Sequence, residues 1–281
     1  MNVLSLFDGI SCAQIALNRA NIKVNNYYAS EIDKFSIQVT KHHYPNTLFL
    51  GDVCSVDTNQ LPKIDLLIGG SPCQGFSLMG KMLNFNDHRS KLFFEYLRIL
   101  QECSPAFFVL ENVKMPDKYA NAISRALGVN YICINSSLVS AQQRTRYYWT
   151  NIPNVATIQD KGIVIRDILS DVGPYRYWTQ NQIYKMHKKQ YRGALANRVE
   201  NIDGKCRCLL ANDGNLFRPK IWDSVGLRWL TPLEWERLQT IPDNYTHMLS
   251  RTQRYKQIGN AFTVDVIVHI LQHMENTDAK R

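Results

Sequence analysis

The segment Ile64–Gly70, with the sequence IDLLIGG, is a nearly continuous apolar run that ends in two glycines. A strand with one exposed face alternates apolar and polar residues, whereas an unbroken apolar run is typical of a strand buried on both faces. Such strands occur in parallel sheets that have helices on both sides. The segment therefore predicts a central strand in an α/β fold.

Strand and helix signals alternate on either side of this segment. Strands are predicted at 2–7 (NVLSLF), 25–30 (NNYYAS), 46–50 (NTLFL), 106–113 (AFFVLENV), 131–139 (YICINSSLV) and 146–151 (RYYWTN). Helical patterns cover 11–20, 33–43 and 90–103, and Asp33 is placed to cap the second of them. Because the connections are short, the alternation predicts a doubly wound, mostly parallel sheet.

Polar or reactive residues follow five of the predicted strands. They are Asp8 with Gly9, Glu31, Asp52, Pro72 with Cys73, and Glu111. Ligands of open parallel sheets bind at the carboxyl ends of the strands, so these residues predict a binding site along one edge of the sheet.

Three of these residues indicate the kind of ligand. Gly9 allows a ligand to approach the backbone closely, Glu31 stands where an acid binds the hydroxyls of a ribose, and Asp52 can accept from an adenine amino group. The G-x-G-x-x-G pattern of pyrophosphate binding is absent. The pattern therefore favours a nucleoside-bearing cofactor such as S-adenosylmethionine. The alternative is that these acids only cap helices.

Cys73 is a candidate nucleophile. A lone cysteine is most often a small buried apolar residue, but this one follows Ser71 and Pro72 on a turn at a strand end. A thiol on such a turn is open to a cleft, and a backbone amide nearby can lower its pKa.

The seven cysteines are widely spread, as is typical of reduced thiols in a cytosol-like compartment, and their spacing predicts no metal site.

Positive charge is concentrated in the middle of the chain. Residues 144–228 hold 15 Lys and Arg against 7 Asp and Glu, whereas residues 1–140 hold 12 against 11. This distribution predicts a catalytic part beside a part that meets a polyanion, and the alternative is a solvated basic surface. Four cations that fall within two helical turns form a candidate phosphate-binding track: Lys185, Lys188, Lys189 and Arg192.

The clear periodicity ends near Thr150. We expect a cofactor-binding domain at 1–150, a smaller second domain at 151–228, and a C-terminal segment at 229–281 that packs back onto the first domain.

Two helices are predicted in the C-terminal segment. Thr231 is placed to cap a helix that begins with Pro232, and the apolar spacing of 259–274 predicts one long helix.

The chain has no run of 18 apolar residues and no leader sequence at its start, so we expect a cytoplasmic protein that does not span a membrane.

Eight short motifs resemble those of one enzyme family. They are LFDGIS (6–11), EID (31–33), GDV (51–53), GGSPCQGFS (69–77), ENV (111–113), QQRTRYYW (142–149), RWLTPLEWERLQTIPDNY (228–245) and YKQIGNAF (255–262). In this order, the motifs resemble the DNA (cytosine-5)-methyltransferases over nearly the whole chain. The departures are Asp8 and Ser11, which stand where many bacterial members of the family carry alanine and glycine.

The resemblance implies a class I methyltransferase, Rossmann-like fold with a small target-recognition domain at 151–228. It implies transfer of a methyl group from S-adenosyl-L-methionine to carbon 5 of cytosine in DNA, with S-adenosyl-L-homocysteine as the product. The cytosine would be flipped out of the duplex and bonded at carbon 6 to Cys73. The alternatives are a tRNA cytosine-5 methyltransferase and a DNA-binding relative without catalytic activity.

The resemblance also implies the roles of individual residues. The catalytic residues would be Cys73, Glu111, Arg144 and Arg146. The cofactor would contact Phe7, Asp8, Gly9, Ile10, Glu31, Ile32, Asp52, Val53, Pro72, Leu92, Asn260 and Ala261. Besides the four cations above, DNA would contact four residues in and after the motif 69–77, which contains Cys73: Gln74, Ser77, Lys81 and Arg89.

The implied partners follow from the same resemblance. They are double-stranded DNA and, in a restriction-modification pair, a companion restriction endonuclease. The enzyme would be a monomer in the cytoplasm of a bacterial or phage-infected cell, or in the nucleus of a eukaryotic cell.

Overall fold

The computed structural model describes residues 1–71, 91–191, 194–211 and 217–274. Seven strands in this part of the chain form one sheet: β1 (Asn2–Leu6), β2 (Asn26–Ser30), β3 (Leu48–Phe49), β4 (Leu66–Gly70), β5 (Phe107–Val113), β6 (Tyr131–Asn135) and β7 (Thr145–Thr150). Their spatial order is β3-β2-β1-β4-β5-β7-β6. The order of the first five strands is that of a doubly wound sheet, so the predicted α/β fold is confirmed.

Strand β4 lies in the interior of the sheet, as its apolar sequence predicts. It pairs in parallel with β1 on one side and with β5 on the other, and Leu66, Leu67 and Ile68 are completely buried. A Cβ atom at Gly69 would lie 2.8 Å from the carbonyl oxygen of Leu6, so a larger residue would push β4 away from β1. The strand order reverses between β1 and β4, where doubly wound sheets bind their ligands.

Strand β7 runs antiparallel to β5. In this register Glu111 lies opposite Tyr148, and Val113 lies opposite Arg146. Arg146 is therefore a diagonal neighbour of Glu111 on the same face of the sheet. The reversal brings together two of the predicted catalytic residues.

Four helices connect the strands of the sheet: α1 (Cys12–Arg19), α2 (Lys34–His43), α3 (Lys91–Cys103) and α4 (Asp117–Leu127). The predicted cap of α2 is confirmed, because the side chain of Asp33 accepts a hydrogen bond from the amide of Phe35 at 2.8 Å. Helix α4 was not predicted, although Tyr119, Ala120 and Ile123 form a buried face at helical spacing.

The chain forms two compact units. The first comprises Met1–Ile134, Thr145–Thr157 and the chain from Val266 onward, and the second comprises Asn135–Arg144 and Ile158–Asp265. Within the basic segment 144–228, the residues from Ile158 onward therefore belong to the same unit as the residues that follow them, up to Asp265, whereas Thr145–Thr157 belong to the first unit. The assignment of 151–228 to target recognition stays a prediction.

The second unit has shorter elements than the first. These elements are α5 (Ile165–Ile168), α6 (Gln180–His187), an antiparallel pair β8 (Lys220–Trp222) and β9 (Leu227–Trp229), α7 (Pro232–Leu238) and α8 (Arg251–Asn260). The chain then enters α9 (Val264–Gln272), which continues into the first unit. Trp178, Met186 and Leu227 form one core cluster of the second unit. No described helix is both long enough and apolar enough to cross a membrane.

The two predicted C-terminal helices have different outcomes. Thr231 caps α7 as predicted, since its hydroxyl accepts from the amide of Glu234 at 3.2 Å and the Glu234 carboxylate accepts from the amide of Thr231 at 2.6 Å. The single helix predicted at 259–274 is wrong, because α8 and α9 are separate. The backbone is extended at Ala261, which ends α8.

Candidate active site

The turn after β1 carries three residues with left-handed backbone geometry. Phe7, Gly9 and Ser11 have φ values of 56°, 60° and 56°. The amide of Asp8 donates to the carbonyl oxygen of Ser30 at 3.2 Å, and the amide of Gly9 donates to a carboxylate oxygen of Glu31 at 2.8 Å. These two bonds hold the turn against the end of β2.

Glu31 is oriented by three backbone amides. Besides the bond from Gly9, its second carboxylate oxygen accepts from the amides of Ile32 and Asp33, each at 2.7 Å. A carboxylate can accept about four hydrogen bonds, so Glu31 keeps capacity for one more donor. Ile32, the next residue, is 73% exposed.

Asp52 lies at the start of a short 3-10 turn, Val53–Ser55. One of its carboxylate oxygens accepts from the amide of Cys54 at 2.9 Å, so Asp52 does act as a cap. Its other oxygen has no partner among the described residues, and the side chain is exposed. The carbonyl oxygen of Gly51 accepts from the Ser30 hydroxyl at 2.9 Å, which links this turn to the end of β2.

Arg98 of α3 supports the same 3-10 turn. Its guanidinium donates to the carbonyl oxygens of Val53 and Val56, at 3.4 and 3.2 Å. Glu95 and Glu102 accept from the other guanidinium nitrogens at 2.9 and 2.8 Å. These contacts connect α3 to the segment that carries Asp52.

Asp8 is a buried acid beneath this edge, with 6% of its surface exposed. It accepts hydrogen bonds from the hydroxyls of Ser11 and Tyr27, the latter at 2.6 Å. Burial raises the pKa of the Asp8 carboxyl to about 6. The hydrogen bonds oppose this rise, and the nearby charge of Glu31 adds to it.

The ends of β4 and β5 are joined by Asn112. Its side-chain nitrogen donates to the carbonyl oxygen of Ser71 at 3.1 Å and to the Ser71 hydroxyl at 3.0 Å. Its side-chain oxygen accepts from the amide of Val113 at 2.8 Å. Both Asn112 and Ser71 are buried, so this link is shielded from water.

Glu111 and Arg146 form an ion pair. The distance between the Arg146 Nε and a carboxylate oxygen of Glu111 is 3.0 Å, and each side chain is 12% exposed. Arg146 also donates to the carbonyl oxygen of Thr145 at 2.9 Å. The guanidinium is thereby fixed beside a carboxylate that is nearly buried.

Arg144 belongs to the second unit and is bound to backbone atoms. Its guanidinium donates to the carbonyl oxygens of Leu209, Gly259 and Ala261, at 3.2, 3.3 and 3.1 Å. Ala261 is buried and Asn260 is exposed. Arg144 and the end of helix α8, which are far apart in the sequence, are therefore adjacent in this unit.

Four other predicted cofactor contacts are buried or partly buried. Phe7 and Leu92 pack against the main apolar core, and Ile10 and Val53 are buried. Seven predicted residues lie outside the described part of the chain: Pro72, Cys73, Gln74, Ser77, Lys81, Arg89 and Arg192.

The predicted lysine track is not one continuous helix. Lys185, Lys188 and Lys189 are exposed, but α6 ends at His187 and Lys188 occupies the cap position. Lys189 has a left-handed backbone with φ of 51°, so its side chain leaves the helical row.

Sequence reasoning missed several residues that support the site. Asn112 lies inside a quoted motif, so its position was a usable signal. Tyr27 and Arg98 gave no local signal, because each contacts a segment that is distant in the sequence.

Two solved structures of methyltransferases have the same fold as this chain. The Entamoeba histolytica methyltransferase EhMeth has a TM-score of 0.81 and 18% identity, covering 100% of this chain and 99% of that one. The S. pombe Dnmt2 methyltransferase has a TM-score of 0.76 and 18% identity, covering 99% of each chain. At these identities the likeness concerns the fold alone.

Sequence comparison defines the family. The profile of the C-5 cytosine-specific DNA methylases matches residues 1–126 and 130–276. The type II methyltransferase M1.ScrFI of Lactococcus lactis subsp. cremoris is 30% identical over 306 aligned residues, covering 97% of this chain and 77% of the relative. The type II methyltransferase M.SsoII of Shigella sonnei is 27% identical over 320 aligned residues, covering 98% of this chain and 80% of the relative. The chain therefore belongs to the C-5 cytosine-specific DNA methylase family and is a DNA (cytosine-5)-methyltransferase.

Proposed function

We propose that the protein methylates carbon 5 of a cytosine flipped out of duplex DNA, through a covalent bond between Cys73 and carbon 6 of the base. The observation that carries this proposal is the Glu111–Arg146 ion pair, with a distance of 3.0 Å, at the end of β5. Asn112, the neighbour of Glu111, binds Ser71, and Cys73 follows Ser71 by two residues.

The residues at the end of β2 fit S-adenosylmethionine as the methyl donor. Glu31 has remaining acceptor capacity for one ribose hydroxyl, and the exposed side chain of Ile32 offers an apolar surface for an adenine ring. Asp52 has a carboxylate oxygen open to the adenine amino group. When bound, S-adenosylmethionine supplies an electrophilic methyl group, and S-adenosylhomocysteine is released.

The chemistry explains why a thiol and an acid are needed together. Carbon 5 of cytosine is a weak nucleophile, and addition of the Cys73 thiolate to carbon 6 converts the ring to an enamine that is more reactive at carbon 5. Electron density moves to N3, where Glu111 is proposed to donate a hydrogen bond or a proton. After carbon 5 has taken the methyl group, solvent accepts the carbon-5 proton, the electron pair of that bond expels the thiolate from carbon 6, and any proton given to N3 returns to Glu111, which restores the ring.

The arginines have different proposed roles. Arg146 lies beside Glu111, so we assign it contact with the O2 edge of the base. Arg144 binds three backbone carbonyl oxygens within the second unit, which supports a positioning role there. Asn260 and Ala261, next to these carbonyls, stay proposed cofactor contacts.

The basic segment is the proposed DNA-binding surface. Lys185, Lys188 and Lys189 are exposed and suited to phosphate contacts, and we propose that side chains of the same unit read base edges in the major groove. We further propose a monomer that acts in the cytoplasm beside a companion restriction endonuclease.

A methylation assay tests the proposal. The purified protein is incubated with S-adenosylmethionine and duplex DNA, and bisulfite sequencing locates the methylated cytosines. Duplex DNA that carries 5-fluorocytosine at that site should form a denaturant-stable complex. Fluorine replaces the hydrogen of carbon 5, and a base cannot remove it, so the thiolate is not expelled. Cys73→Ala should abolish both, whereas Cys133→Ala, which changes an exposed cysteine, should leave both intact.

Two results would contradict the proposal. Methylation of tRNA without methylation of DNA would assign the enzyme to RNA. An adduct that survives in Cys73→Ala would mean that another residue is the nucleophile.

A further inference from the structure

Ser11 has a left-handed backbone conformation, which favours glycine. It has φ of 56° and ψ of 38° at the N-cap of α1, yet its side chain makes no capping bond to the helix. Left-handed backbone is strained for residues other than glycine, and serine at an N-cap normally accepts from a helix amide. Something other than capping therefore favours serine at this position.

The Ser11 hydroxyl is directed into a buried polar cluster. It donates to the carboxylate of Asp8 and lies 2.9 Å from the hydroxyl of Thr40. The side chain of Gln14 donates to it at 3.3 Å. Because Ser11 is completely buried, these bonds are shielded from water and constrain the backbone strongly.

Asp8 is the centre of this cluster. One carboxylate oxygen accepts from Ser11 and the other accepts from Tyr27 of β2 at 2.6 Å. Among the described residues, the side-chain partners of the Asp8 carboxylate are hydroxyls rather than cations. A buried acid without a cationic partner is unfavourable for folding, so its presence is better explained by what it holds in place.

The cluster lies directly behind the proposed cofactor site. Asp8 and Ser11 flank Gly9, whose amide donates to Glu31 at 2.8 Å. Any change in the turn at 7–11 moves this amide and thereby the carboxylate proposed to bind ribose.

We propose that Asp8 and Ser11 act as a coupled pair of positioning residues, which together hold the turn after β1 in the shape that binds the cofactor. This inference rests on the proposed function. The hydroxyl–carboxylate bond offsets the strain at Ser11, so each residue is useful only when the other is present. Glycine at position 11 would reach the same backbone shape without that bond.

This coupling predicts an unusual order of effects on cofactor affinity. Asp8→Ala leaves the strained serine without its hydrogen-bond acceptor, so fewer molecules keep the turn at 7–11 in the shape that binds the cofactor. If about one molecule in ten keeps that shape, the Kd rises about tenfold. Ser11→Ala keeps the strain and loses the bond, so the effect is similar. Ser11→Gly removes the strain together with the bond and costs less than about threefold. The double variant Asp8→Ala/Ser11→Gly recovers most of the affinity lost in Asp8→Ala.

Isothermal titration calorimetry with S-adenosylhomocysteine on the full chain tests the coupling. The wild type, Asp8→Ala, Ser11→Gly and the double variant form a thermodynamic cycle. In parallel, kcat at saturating S-adenosylmethionine should change less than the Kd, because the pair does not touch the reacting atoms. The control is Ser124→Ala, which removes another buried serine hydroxyl, bonded to Trp149 at 2.8 Å. It should lower the melting temperature and leave the Kd unchanged.

The results separate this inference from the proposed function. If the wild type does not bind S-adenosylhomocysteine, the proposed cofactor is wrong. If it binds, but the two substitutions are additive or kcat falls while the Kd stays constant, the coupling is overturned. Should Asp8→Ala not fold, the same cycle is measured with Asp8→Leu, which has a similar size and also lacks an acceptor for the Ser11 hydroxyl, and additivity there overturns the inference equally.

Discussion

The side-chain amide of Asn112 donates to both the carbonyl oxygen and the hydroxyl of Ser71, at 3.1 and 3.0 Å. This pair joins the strand that carries Glu111 to Ser71, two residues before Cys73. We therefore expect Asn112→Ala to lower kcat by about a hundredfold, because a displacement of about 1 Å between reacting groups has an effect of that size. The affinity for S-adenosylhomocysteine should stay unchanged.

Asn151 offers a matched control at the other end of β5. Its side chain accepts from the amide of Phe108 and donates to the carbonyl oxygen of Ala106, each at 2.9 Å. Asn151→Ala should reduce stability, by about 1 kcal/mol per lost bond, without a comparable loss of kcat. Equal losses of kcat in the two variants would mean that Asn112 contributes to stability and does not position the reacting groups.

Glu31 is expected to control cofactor affinity. Loss of a charge-assisted hydrogen bond to ribose costs about 1.5–3 kcal/mol, so Glu31→Ala should raise the Kd about ten- to a hundredfold. Calorimetry with S-adenosylhomocysteine measures this change. Asp33→Ala, which removes the adjacent acid that caps α2, should lower the melting temperature and keep the Kd. An unchanged Kd in Glu31→Ala would refute the ribose contact.

Glu111 is expected to act in the chemical step. Glu111→Gln keeps the size of the side chain but cannot hold a proton for N3, so kcat should fall about a hundredfold or more. The Kd of S-adenosylhomocysteine should not change. Glu95→Gln removes a glutamate that is also paired with an arginine, at 2.9 Å, and should keep its kcat. Single-turnover kinetics that show a normal methyl-transfer rate in Glu111→Gln would count against this role.

Asp8 should make stability depend on pH. Its pKa in the folded protein, about 6, is higher than the ordinary 3.8, so the folded state binds more protons between these pH values. The contribution of Asp8 to the free energy of unfolding therefore falls as the pH rises from about 4 to about 6, by about 3 kcal/mol in total.

The comparison of wild type with Asp8→Asn isolates this contribution. Denaturant unfolding at pH 4, 5, 6 and 7 should show Asp8→Asn gaining stability relative to the wild type as the pH rises. A constant difference across this range would mean that Asp8 titrates normally.

Lys188 tests the proposed DNA surface. Neutralising one phosphate contact lowers the slope of log Kd against log salt by about one unit, for all DNA sequences alike. We expect this change for Lys188→Ala in fluorescence anisotropy with duplex DNA. Lys63→Ala, which changes an exposed lysine of the first unit, should leave the slope unaltered. If both variants behave like the wild type, Lys188 is only part of a solvated surface.

Much of the site could be predicted because its residues follow strands. Parallel strands end at one edge, so Asp8, Glu31, Asp52 and Glu111 were expected there from sequence order alone. The caps at Asp33 and Thr231 were also predictable, because a cap is a bond between residues two or three positions apart.

Other features required the tertiary structure. Apolar spacing suggested one helix at 259–274, but the chain is extended at Ala261, whose carbonyl oxygen accepts from Arg144 and Gln239. The expected lysine track ends because the backbone becomes left-handed at Lys189. Neither event has a signal in local periodicity.

The sequence by itself determined the fold class, the family and the residue types at the ligand edge, because these depend on local pattern and on motifs of adjacent residues. Only the tertiary structure decided which side chains support them. Asn112 meets Ser71 across two strands, and Tyr27 meets Asp8 across 19 residues. Such bonds form because the folded sheet excludes water from both partners, and no pattern of neighbouring residues encodes which distant group will be there.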